Sequence, residues 1–299
     1  MQNFIALGKK IYDTGNPREA HRMIVFVSRC CLHPKKMRRI SAFFGQDQFL
    51  SQVAERFPFV YEQPTRAFFY NKSTFEERIS IIEEHMNFLH ERLRDDVVLD
   101  IYSGKKIPLW QMEIDGKTLE LVLCMEPGQR KEGLLSLMLL LDGQTLYQIV
   151  FWIAKSKRSG TALFIGAMQG PNMSDAKDII KLVTKRCHTY RTKNLILYVT
   201  QALARSLELE HIYAVTNKGY YAMNHIRRDR KLKTSYSDFW MEAGGWHTKD
   251  DRFDELPLTE VRKSIEEVST HKRAVYRRRF ALLDEIDMTI GENMKKLMK

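Results

Sequence analysis

No part of this chain is apolar for long enough to cross a bilayer as a helix, which takes roughly 20 residues. The longest apolar runs, 133–141 and 146–154, are about half that length. Cysteine is scarce and unpatterned: of four residues, Cys30 and Cys31 are adjacent, Cys124 sits in the apolar run Leu121–Met125, and Cys187 stands alone. Adjacent cysteines have poor geometry for a mutual disulfide, so free thiols in a reducing compartment are expected. The nine histidines are scattered. His85 and His90 miss the i, i+4 spacing of a helical metal pair, and His188 beside Cys187 has no further ligand at familiar spacing, so no metal is expected. There is no G-x-S-x-G, no Walker loop and no G-x-G-x-x-G, which leaves hydrolase, nucleotide hydrolase and dinucleotide readings without support. At the start, Met1–Lys10 places a short apolar patch ahead of its charges, the reverse of a secretory signal. A cytoplasmic location is the expectation.

Positive charge, by contrast, is abundant. Lysine and arginine number 48 against 37 acidic residues, a net charge of +11. The excess gathers in Lys185–Lys193, in Arg227–Lys233, and in His271–Arg273 with Arg277–Arg279. Such clusters suit an anionic partner: nucleic acid, an anionic membrane face, a phosphorylated small molecule or an acidic carrier protein. For any one cluster taken alone, a solvated helix face is the better account. Tyr276 among the last cations suits base stacking, but no nucleic-acid motif accompanies it, which ranks that partner lower.

Residues 1–100 read as a helical N-terminal region or lid. Phe75, Ile79, Ile82, Met86 and Leu89 recur at helical spacing, with Ser73 or Thr74 as the cap. Residues 101–299 read as an α+β core with a helical C-terminal tail. Strands 109–114 and 118–124 flank Asp115-Gly116-Lys117, strands 134–141 and 146–154 flank Asp142-Gly143-Gln144, and a fifth strand covers 161–168. Helices 176–186 and 194–207, a strand at 211–216, a last strand at 235–241 and helix from about 259 complete the pattern. The fold class is therefore α+β, with a mostly antiparallel sheet between helical termini.

The string Tyr236–Gly245, with Ala214–Asn217 upstream and Lys272–Asp284 downstream, resembles the VirK/YbjX family of Gram-negative bacteria. That resemblance implies a setting in envelope and virulence biology, including resistance to antimicrobial peptides, with peripheral contact at the inner membrane. The order of strands and helices also resembles the GNAT acyltransferase architecture. This second likeness implies a donor, coenzyme A or the phosphopantetheine of an acyl carrier protein, whose phosphates meet a basic helix start. Arg191, Lys193 and Asn194 match that position, with amides around Asn194 and Leu195 free, and Asn217 matches the end of the next strand. The departures are a loop without glycine and an extra helix, 176–186, ahead of it.

On this reading Glu242, Asp238 and Tyr220 are the catalytic candidates, acting on an anionic or carrier-linked substrate. As a strand, 235–241 puts Tyr236, Asp238, Trp240 and Glu242 on one face, with Tyr220 or Tyr221 returning a proton to a thiolate. The structural alternative has Asp238 and Glu242 neutralising Arg227, Arg228 or the Arg277 group, Phe239 in the core and Trp240 at its rim. A non-catalytic basic module that binds an acidic protein, an anionic membrane or RNA is the other functional reading.

Overall fold

The computed structural model describes residues 3–224 and 235–299; the expected basic cluster Arg227–Lys233 lies outside them. The described residues up to 102 form six α-helices: α1 (Phe4–Ile11), α2 (Pro17–Leu32), α3 (Pro34–Phe44), α4 (Gln48–Arg56), α5 (Phe75–Arg92) and α6 (Asp95–Tyr102). Helix α5 begins where its cap residues require. Thr74 accepts from the Glu77 amide at 3.2 Å, and the Glu77 carboxylate accepts from the Thr74 amide at 2.7 Å, a capping box.

Five strands then run as an antiparallel meander: β1 (Ile107–Ile114), β2 (Lys117–Cys124), β3 (Leu135–Leu141), β4 (Gln144–Lys155) and β5 (Thr161–Gln169). Pairing of Ile114 with Lys117 and of Leu141 with Gln144 leaves two-residue turns, Asp115-Gly116 and Asp142-Gly143. All four turn residues have positive φ, between 48° and 76°, the mirror-image turn that matches strand twist. Helices α7 (Ala176–Arg186) and α8 (Thr192–Ser206) cross to β6 (His211–Val215), which lies parallel to β5. After α9 (Tyr236–Glu242), the short strands β7 (Trp246–His247) and β8 (Phe253–Leu256) close an open eight-stranded sheet of order β1-β2-β3-β4-β5-β6-β8-β7. The chain ends in α10 (Thr270–Leu297), packed on α8 and β1.

The segment expected as a last strand is the helix α9. Its aromatic content favours a strand by propensity, but Tyr236, Phe239 and Trp240 are buried at helical spacing and Ser235 caps the Asp238 amide at 3.3 Å. Trp240 is fully buried, not at the rim. The strands β7 and β8, two and four residues long, are too short for their periodicity to stand out in the sequence.

One apolar core joins the N-terminal helices, the sheet, α8 and α10. Helix α8 is buried almost throughout, consistent with its place between the sheet and α10. Helix α5 lies along β4 and places a fully buried polar side chain, His85, against it. His85 Nδ1 accepts from the Ile153 amide at 3.0 Å, beyond the last β3 partner of β4. Burial holds the imidazole neutral, with its pKa down at about 3. His85→Leu leaves that amide buried without an acceptor. We expect a loss of about 1–3 kcal/mol in urea unfolding, with the slope unchanged.

Candidate functional site

The parallel pairing of β5 with β6 covers only Ala162–Ile165 against His211–Ala214. Beyond it the two strands find other partners, and α9 supplies them. The Trp240 indole donates to the Val215 carbonyl at 2.9 Å on the β6 side. The Tyr236 hydroxyl donates to the Met168 carbonyl at 3.1 Å on the β5 side, and lies 3.4 Å from the Met168 amide. The start of α9 is held by Asn217, whose Oδ1 accepts from the Tyr236 amide at 2.6 Å. At the same place β5 carries a bulge: its pairing with β4 passes from Ile165 to Ala167 and skips Gly166.

Glu132 is brought here by the β2–β3 connection. The Phe69 amide donates to the Lys131 carbonyl at 2.7 Å, and Gln63 donates to the carbonyls of Arg130 and Gly133. The side-chain amides of Gln129 and Gln169 exchange hydrogen bonds at 3.1 and 2.8 Å. Two glycines permit the approach. A Cβ on Gly133 would stand 2.6 Å from the Phe151 carbonyl oxygen, and one on Gly166 would collide with the Glu132 carbonyl.

The Glu132 side chain is buried at 4 % exposure. Its Oε1 accepts from the Tyr220 hydroxyl at 3.4 Å, and its Oε2 has no partner of hydrogen-bonding geometry among the described residues. Burial pushes the carboxyl up to about 7, against smaller lowering effects from Lys131 and the hydroxyls of Tyr220 and Tyr221. Tyr220 is tied by a bridge to Tyr70, and its ring lies 5.0 Å from Tyr221 and 5.8 Å from Tyr236. Burial raises the Tyr220 hydroxyl and pushes Tyr236 to about 12. A carboxyl that titrates near neutrality beside a protonated phenol can take a proton and be resupplied with one.

The residues expected from the sequence fall into two groups. Tyr220 and Asn217 belong to the Glu132 centre, one by contact with the carboxyl and the other through α9. Arg191, Lys193 and Glu242 form a second group, in which Glu242 Oε2 lies 3.5 Å from Arg191 and 3.3 Å from Lys193. The cations neutralised by Glu242 are thus these two. The Lys193 ammonium also sits over the Phe239 ring at 4.5 Å. Asp238 is exposed on α9, one turn from Glu242, and no hydrogen bond or ion pair joins its carboxylate to either group. The amides of Asn194 and Leu195 both donate to the Arg191 carbonyl, at 2.9 and 3.0 Å, so neither is free. The amides without a backbone acceptor are those of Thr192 and Lys193, at the first helical positions. Glu132 escaped the sequence reading because Lys131-Glu132-Gly133 resembles any charged turn before a strand; its burial depends on distant contacts.

An open, mostly antiparallel sheet with a buried carboxyl among tyrosines is the class these features define. The chain belongs to the family described as a protein of unknown function (DUF535), whose model matches residues 15–292, and which is the VirK/YbjX family of Gram-negative bacteria. It is similar to an uncharacterized protein of Haemophilus influenzae, 27 % identical over 273 residues that cover 89 % of this chain and 87 % of the relative. It is 31 % identical over 175 residues to the uncharacterized protein YbjX of Escherichia coli, covering 58 % and 52 % of the two chains. To the membrane protein LapB of Mannheimia haemolytica it is 26 % identical over 216 residues, 71 % and 87 % of the two. No solved structure matches.

The raised pKa of Glu132 makes a signed prediction. The folded state favours the protonated carboxyl, so its contribution is full below the ordinary carboxylate pKa of 4.5 and is lost as pH rises through about 7. Glu132→Gln, which cannot ionise, should match the parent near the lower value. Above about pH 8 it should exceed the parent by up to about 3 kcal/mol in urea unfolding.

Proposed function

We propose that this protein is an acyltransferase-like enzyme whose donor is linked to coenzyme A or to an acyl carrier protein. The observation that carries this reading is the Glu132 carboxyl at a pKa of about 7 beside Tyr220, where β5 and β6 part. Glu132 takes the proton of the acceptor's amine or hydroxyl, and the Tyr220 hydroxyl returns one to the leaving side. When bound, the donor supplies an activated acyl thioester. Its phosphates would be held by Arg191 and Lys193, with the free amides of Thr192 and Lys193 at the positive end of α8. The residues that suit an anion are Arg191 and Lys193, two cations gathered at the helix start, where the Glu242 carboxylate now pairs with both and a phosphate would take its place. The strand order, with one parallel pair in an otherwise antiparallel sheet, supports the GNAT-like comparison.

A binding module is the second reading, favoured by a specific contact. The first and third basic clusters meet: Arg279 donates to the His188 carbonyl at 3.1 Å and to Thr189. After burial, Arg278 and Arg279 are what lower the His188 pKa. A joined basic surface suits an anionic membrane face, an acidic protein or RNA, and one relative is named a membrane protein. Among the described residues no helix is long and apolar enough to cross a membrane. Both readings sit in the cytoplasmic, inner-membrane-peripheral, envelope-related setting that the family resemblance implies.

Thermal unfolding with acetyl-coenzyme A, a longer acyl-coenzyme A and an acyl carrier protein, at two salt concentrations, separates them. A saturable rise in midpoint with one donor should disappear in Arg191→Ala/Lys193→Ala. Glu132→Gln should keep the rise and lose thiol release from that donor. No rise with any donor, alongside salt-sensitive binding to anionic vesicles or RNA, overturns the enzyme and leaves the module.

A further inference from the structure

A pocket of about 330 Å³ opens at the far end of the sheet, between the end of β6, the start of α9, β7 and β8. Its walls include Thr216, Asn217, Ser237, His247, Phe253 and Asp254. Several of its polar groups are committed to the fold. The Thr216 hydroxyl donates to the Asp251 carbonyl at 2.7 Å, and both ends of the Asn217 amide are engaged by the residues that open α9. Lys218, the cation beside the pocket, is paired with Asp251.

Three groups are left over. Asp254 is 1 % exposed, and its Oδ1 lies 2.8 Å from His247 Nδ1. Its Oδ2 is buried with no partner among the described residues. A carboxylate only accepts, so Nδ1 of His247 carries the hydrogen, and in the neutral form of the ring the lone pair is on Nε2. The His247 side chain is 75 % exposed, at the pocket mouth. The Ser237 hydroxyl has no hydrogen-bond partner among the described residues. The pocket therefore offers acceptors and a buried carboxylate whose one hydrogen-bond partner among the described residues is an imidazole. A buried carboxylate without a matching cation is costly, and the usual resolution is a positively charged donor.

We propose that this pocket binds the primary ammonium group of a small molecule. His247 Nε2 and the Ser237 hydroxyl accept its hydrogens, Asp254 supplies the countercharge through the imidazole it orients, and Phe253 forms an apolar wall. The pocket shares Asn217 with the surroundings of Glu132 but is not lined by Glu132 or Tyr220, and its occupation does not depend on the transfer reading.

The full chain tests it at about pH 8. The probes are ethanolamine and propylamine, both ammonium ions at that pH, with ethylene glycol and 1-propanol as uncharged counterparts. Imidazole-region NMR, with the His247 signal identified by its loss in His247→Gln, should show a saturable shift with the two amines alone. Calorimetry should show binding weakened about tenfold or more in His247→Gln and in Ser237→Ala, both surface changes that leave the circular dichroism unaltered. An equal response to the uncharged alcohols, no saturation by about 50 mM amine, or undiminished binding in both variants overturns the proposal.

Discussion

The close seating of Glu132 and Gly133 on the sheet is the constraint from which the rest of the centre follows. A backbone carbonyl can rest against the middle of β5 only where the strand has no side chain, and Gly166 provides that place. The bulge at Gly166 and the glycine at 133 are two halves of one fit. Around it, the Gln129–Gln169 amide pair and the bonds from Gln63 and Phe69 replace the regular ladder that a loop cannot make. With the backbone fixed in this way, the carboxyl is carried out of water and its acidity falls. Arg130 ties the same loop to the N-terminal helices through the buried Glu62, 2.6 Å away.

Helix α9 joins the site's parts. Its buried aromatics serve the two diverging strands, Trp240 on β6 and Tyr236 on β5. Its exposed end gives Glu242 to the cations that open α8. One short helix thus touches the Glu132 centre, the basic helix start and, through Ser237, the pocket beside His247. Asn217 fixes its first amide and also lines that pocket.

Much of the architecture was legible because local rules agreed with the fold. The Asp-Gly turns, the α5 periodicity and cap, and the five-strand meander are short-range signals that tertiary contacts reinforce. Tyr236–Glu242 was misread because aromatic composition speaks for a strand while burial spacing speaks for a helix, and burial decided. The site was legible only where it sits next to a recognisable string, as with Tyr220 and Asn217. Glu132 and Asp254 take their character from desolvation by residues remote in sequence, which no local pattern announces.

The Tyr70–Tyr220 bridge has a consequence for how the protein is made. The centre draws on residues 70, 132, 168, 220 and 236, so it exists only when widely separated parts of the chain have met. The N-terminal helices and the meander can form early during synthesis, from local contacts. A nascent chain that has not yet delivered α9 still lacks the partners of Val215 and Met168, however well its first strands have paired. The surroundings of Glu132 are thus among the last features to be completed, and a truncated product would carry Glu132 without the burial that raises its pKa.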